Sequence, residues 1–151
     1  MTSQPDQYDV DVFDSNSMDW LELPMSVPIE QIGSSLSLKP FTFDPDTGMS
    51  CMLLRYEAGF INPWHTHRCA HGMFVLSGTL RTHEGDFGPG SFVWFPEGMT
   101  MYHGATEDSD SLMLFITNKP FNIRYTFEDE PSGSEAERLG REKRAGARWL
   151  P

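Results

Sequence analysis

The chain reads as all-β, a sandwich or barrel, and three observations carry that reading. Turn signals recur along its middle: Asp44-Pro45-Asp46-Thr47-Gly48, Ala58-Gly59, Asn62-Pro63, Ser77-Gly78, Gly88-Pro89-Gly90 and Glu97-Gly98. Between them lie short apolar segments of strand character: Met49–Tyr56, Gly72–Leu76, Thr79–His83, Ser91–Phe95, Thr100–Gly104 and Ser111–Asn118. Their spacing, about ten residues, is that of an antiparallel β domain rather than of strands alternating with helices.

The flanks differ in composition. Residues 1–18 carry Asp6, Asp9, Asp11 and Asp14 among Ser, Gln and Asn, and read as a flexible acidic arm. Residues 19–127 form the barrel. Residues 128–151 read as a short C-terminal helix or tail, because Ser134–Arg148 is rich in Glu, Arg and Ala with only Gly140 and Gly146 as breakers. No internal repeat is present.

Charge and length narrow the function classes. The 151 residues hold one domain with a buried core. Eleven basic residues against 22 acidic ones give a formal charge of −11, which repels phosphate backbones and argues against nucleic-acid binding. The longest apolar runs, such as Leu112–Ile116, are too short to cross a bilayer. Met1–Asp14 has neither the basic nor the apolar region of a secretory signal, and Cys51 and Cys69 do not make a disulfide framework, so a cytoplasmic location is expected. There is no Gly-x-Ser-x-Gly elbow, no Gly-x-Gly-x-x-Gly and no Walker loop.

The chemistry concentrates in the histidines. There are five, and three fall in Trp64-His65-Thr66-His67-Arg68-Cys69-Ala70-His71. Residues two apart on a strand share a face, so His65 and His67 offer two neutral imidazoles to one metal ion. His103, on another strand-like segment, is the candidate third ligand. His71 keeps the parity of His67 and is a candidate fourth. His83, beyond a turn beside Glu84, reads as solvent-facing. Arg55 and Tyr102 are candidates for substrate contact, although Tyr102, like Trp64, has the opposite parity to its neighbouring histidine. Cys69 is read as a buried thiol. Met73, Val75, Met101 and Leu114 are barrel filling.

Glycines and a proline frame these histidines at fixed offsets. Gly59, five residues, His65-x-His67, three residues, His71, six residues, Gly78 make one run; Gly90, five residues, Pro96, one residue, Gly98, four residues, His103 make the second. Together they resemble the two linked motifs of the cupins. His71 stands where the first motif has glutamate, and four residues rather than two separate Gly98 from His103, a gap that a β-bulge accounts for. The resemblance implies a cupin (RmlC-like) double-stranded β-helix, a jelly-roll barrel with a metal inside, usually paired as a homodimer.

Within that superfamily, His71-Gly72-Met73-Phe74-Val75-Leu76-Ser77-Gly78 and Leu53-Leu54-Arg55-Tyr56 resemble the 2,4'-dihydroxyacetophenone dioxygenase and acetylacetone dioxygenase group, and the cupin domain of ChrR-type anti-sigma factors. The dioxygenase resemblance implies Fe(II) on His65, His67 and His103, with Zn, Ni, Mn and Cu as other candidates. It also implies a small ketone-type substrate, hydroxyacetophenone- or β-diketone-like, cleaved with O₂ at a C–C bond. The alternatives are a non-oxidative isomerase or decarboxylase and a metal-binding sensor module.

Overall fold

Alternation of buried and exposed residues runs through the middle of the chain, and a computed structural model describing residues 10–22 and 36–126 shows what it builds. Eleven strands form: β1 (Leu21–Glu22), β2 (Leu36–Phe43), β3 (Ser50–Tyr56), β4 (Ile61–Thr66), β5 (His71–Ser77), β6 (Leu80–Thr82), β7 (Gly85–Phe87), β8 (Phe92–Phe95), β9 (Met101–Ala105), β10 (Ser111–Thr117) and β11 (Arg124–Tyr125). They pair antiparallel in two sheets, one ordered β1-β2-β3-β10-β5-β8, the other β11-β4-β9-β6-β7. The protein is therefore all-β, with the double-sheet jelly-roll architecture expected from its sequence. The C-terminal helix or tail at 128–151 lies outside the described residues. Among the described residues, no helix is long and apolar enough to cross a membrane.

The inner faces supply the core. In β10, Ser111, Met113, Phe115 and Thr117 point inward while Leu112, Leu114 and Ile116 are half-buried outside. Met73, Val75, Leu80, Met101 and Met113 are fully enclosed, each worth roughly 1.5–3 kcal/mol of apolar burial. Gly104 in β9 lets the Phe60 carbonyl lie against the strand; a Cβ there would come within 1.9 Å of that oxygen. The close approach admits the Ala105 N–H to Phe60 O bond that seats β9 against the start of β4.

Asn62-Pro63, read from sequence as a turn, lies inside β4 instead. The β4–β9 register shifts there: Asn62 pairs with His103, and the next pair is His65 with Met101. β11 covers only His65 and Thr66 on the other side. Pro63 has no N–H to lose, so it is tolerated where neither neighbour requires one. The extra residue of the bulge thus sits on β4, not in the Gly98–His103 stretch. The described part of the acidic arm is anchored: Asp14 caps a single 3₁₀ turn at Ser15–Ser17, the Ser15 carbonyl accepts from Lys39 Nζ, and Lys39 and Arg55 both sit over the Trp20 ring.

Candidate metal centre

Two strand segments converge in the barrel interior. His65 is on β4, His67 just past its end, and His103 is on β9; their exposures are 0%, 3% and 2%. Their rings meet edge to face, with centroids 4.8 Å apart for His65–His67 and 4.7 Å for His65–His103. One ligand atom from each lies within 4.8 Å of the others, so the three can hold a metal ion.

Which nitrogen faces the centre follows from the groups behind each ring. His65 Nδ1 meets the Pro63 carbonyl and His67 Nδ1 meets the Asn122 carbonyl. A carbonyl only accepts, so both Nδ1 atoms carry the proton and both Nε2 atoms keep a lone pair. His103 Nδ1 lies 2.8 Å from Tyr56 Oη. In front, His65 Nε2 and His103 Nε2 are 3.1 Å apart, and His67 Nε2 is buried with no hydrogen-bond partner among the described residues. The inward lone pairs of His65 and His67 can be taken by a shared cation, and His103 Nε2 joins them when its Nδ1 donates to Tyr56 Oη. Two nitrogens bound about 2.1 Å from one ion at tetrahedral or octahedral angles lie roughly 3.0–3.4 Å apart, which matches the His65–His103 separation. The donor set therefore fits a divalent transition metal of the borderline kind that imidazole favours.

Burial keeps the imidazoles neutral. It holds His65, His71 and His103 well below the usual imidazole range, with the neighbouring histidines adding to the effect, and brings His67 down to about 4. Burial also raises Tyr56 well above the ordinary phenol value, so its hydroxyl keeps its proton.

His71 lies beside this group and outside it. Its ring is 4.7 Å from that of His67, stacks on Phe95 at 18°, and neither of its nitrogens has a hydrogen-bond partner among the described residues. His83 corrects a sequence expectation. Its side chain is 1% exposed and packs against Trp64 and Tyr102, with Nε2 3.2 Å from Glu84. The turn that carries it folds back over the outer face of the second sheet. The two candidates for substrate contact are likewise elsewhere. Arg55 stacks on Trp20 and donates to Ser37 Oγ, while Tyr102 packs on Trp64 on that same outer face. Strand parity, unbroken at both positions, turns them from the interior. Cys69 is fully buried and its thiol is pushed up by that burial.

A cavity of ≈ 110 Å³ opens beside the three histidines. Leu36, Leu38, Met52, Leu54, Phe115 and Phe121 give it apolar walls, and Tyr56, Asn62, His67 and His103 are the polar residues that line it. Phe121, 46% exposed, forms the rim. Tyr56 and Asn62 were not singled out in the sequence. Parity along β3 places Tyr56 with Leu54 on the inner face, the one signal available for it.

An inward-facing three-histidine site in a jelly-roll barrel defines a cupin. Residues 9–122 match the family described as the ChrR cupin-like domain, and the chain belongs to that family. No curated protein matches it. Solved structures similar to it include the polyketide cyclase RemF from Streptomyces resistomycificus (14% identity, TM-score 0.63, covering 91% of this chain and 97% of that one). A candidate dioxygenase from Nostoc punctiforme aligns at 20% identity and TM-score 0.65 over 81% of this chain and 44% of its own. The anti-sigma factor ChrR, in complex with SigE from Rhodobacter sphaeroides, gives 19% identity and TM-score 0.55 over 69% and 51%. At these identities the likeness is one of fold.

Two predictions follow from this geometry. His67→Ala abolishes metal retention in protein purified without added ions, whereas His83→Ala retains it; equal metal content in both variants contradicts the ligand set. The second concerns pH. The folded His67 value of about 4 lies below the unfolded value near 6.5. Between these values the unfolded chain binds a proton that the fold refuses, so stability is complete above pH 6.5 and is lost as pH falls. The His67 share is about 3 kcal/mol. Chemical denaturation of metal-free protein from pH 7 to 5 should show falling stability, with a shallower slope in His67→Ala; identical slopes would remove His67 as the cause.

Proposed function

We propose that the chain is a metal-dependent dioxygenase that cleaves a C–C bond in a small ketone-type substrate, with Fe(II) on His65, His67 and His103. One observation carries the reading: two of the converging histidines, His67 and His103, line an apolar, ring-sized cavity. An apolar cavity of about 150 Å³ holds benzene, so ≈ 110 Å³ suits a substrate on the order of one small ring or a short dicarbonyl chain.

The ligand set supports the same chemistry. Three neutral imidazoles leave the full dipositive charge on the ion, where a carboxylate ligand would lower it by one unit. When bound, the metal supplies Lewis acidity towards a chelating oxygen and, as Fe(II), redox chemistry with O₂. The chain does the rest. Pro63, Asn122 and Tyr56 hold the three rings in register, the Leu and Phe walls exclude water, and Tyr56 brings a protonated hydroxyl to the cavity.

Family membership favours a second reading, a metal-binding sensor module, since ChrR itself is an anti-sigma factor. An oxygen electrode separates the two. Fe(II)-loaded protein should consume O₂ with small β-diketones or hydroxyacetophenones, and the zinc form should not. Full iron occupancy with no uptake on any such compound would overturn the dioxygenase and leave the sensor or a non-oxidative enzyme.

A further inference from the structure

The polar end of the cavity contains a group that the metal site does not use. Asn62 is 4% exposed, lines the cavity, and sits opposite His103 in the β4–β9 ladder. Its Oδ1 accepts a 2.7 Å hydrogen bond from the Tyr125 hydroxyl, which fixes the amide plane. With the oxygen so occupied, the Nδ2 hydrogens are turned away from Tyr125 and are left for the cavity that Asn62 lines. An amide donor on the wall of a mostly apolar cavity is the kind of placed polar group that orients a ligand, and it suits an external acceptor.

Tyr56 adds a second donor. When His103 presents its Nε2 lone pair to a metal, its Nδ1 carries the hydrogen and donates to Tyr56 Oη. The Tyr56 hydrogen is then left for the cavity. Among the described residues, no Lys, Arg, Asp or Glu lines this space. The polar end therefore offers donors without formal charge, and it suits an oxygen that only accepts.

We propose that Asn62 anchors the ligand of this cavity: its amide, held by Tyr125, donates to the carbonyl oxygen of a small uncharged molecule whose hydrocarbon part fills the apolar wall. The Tyr56 hydroxyl is the second donor. The inference rests on the metal-centre reading only in assigning the His103 tautomer, and it names a residue that recognises substrate without binding the ion. An ammonium compound finds no acceptor there, and an aliphatic ketone finds two donors.

Calorimetric titration of zinc-loaded protein, where no turnover occurs, is the test. Cyclohexanone should bind, and cyclohexylammonium, of the same shape, should bind at least tenfold more weakly. Asn62→Ala should weaken cyclohexanone binding about tenfold, the effect of one lost hydrogen bond in a dry site, while zinc content stays at one per chain. Asn62→Leu keeps the side-chain volume and carries the same expectation if the alanine variant does not fold. A purely structural Asn62 would leave cyclohexanone affinity unchanged in a folded variant. That result, or equal binding of the two probes, overturns the proposal. Ketone binding without O₂ uptake by the iron form removes the dioxygenase alone; O₂-dependent turnover with unaltered ketone affinity in both Asn62 variants removes this inference alone.

Discussion

The structure depends on which nitrogen of each histidine carries a proton. Behind His65 and His67 stand backbone carbonyls, Pro63 and Asn122, and behind His103 stands the Tyr56 hydroxyl. Two of these partners can only accept, so two tautomers are settled before any ion arrives. The backbone thus fixes inward lone pairs on His65 and His67, and His103 presents its own when its Nδ1 carries the hydrogen and donates to Tyr56, the arrangement a bound cation selects. Oxygen partners that fix ring and tautomer also raise ligand basicity.

The fold serves this constraint in particular ways. The β4 bulge at Asn62–Pro63 places the Pro63 carbonyl under the His65 ring while returning His65 to pairing with Met101. Gly104 lets Phe60 and β9 approach closely enough to carry His103 inward. The segment after β10 crosses beneath His67, where Asn122 supplies its carbonyl to the ring and its side chain to the Arg68 N–H. Ligands from β4 and its end and from β9 are thus held by hydrogen bonds to β4 itself, to β3 and to the segment after β10.

Much of this was legible in the residues. Turn signals and apolar segments located β3, β5, β6, β8, β9 and β10 to within about two residues, and parity alone brought His65 and His67 to one face. Other features escaped for physical reasons. Asn62-Pro63 has turn composition, yet at a bulge beside a short edge strand the missing N–H costs nothing, so tertiary pairing overrode the local signal. The groups that fix His65 and His67 are main-chain carbonyls, which no residue type announces. Tyr56 and Asn62 lie 47 and 41 positions from the His103 they adjoin, and only the closed barrel brings them there. His83 reads as exposed from its polar neighbours Glu84 and Gly85, and is covered because Trp64 and Tyr102 stack around it.

X-ray absorption at the metal edge of the zinc-loaded protein tests the central claim most directly. Convergence of His65, His67 and His103 predicts three imidazole nitrogens at about 2.0–2.1 Å and no sulfur near 2.3 Å. Two or fewer imidazoles, or a thiolate from the buried Cys69, would contradict it.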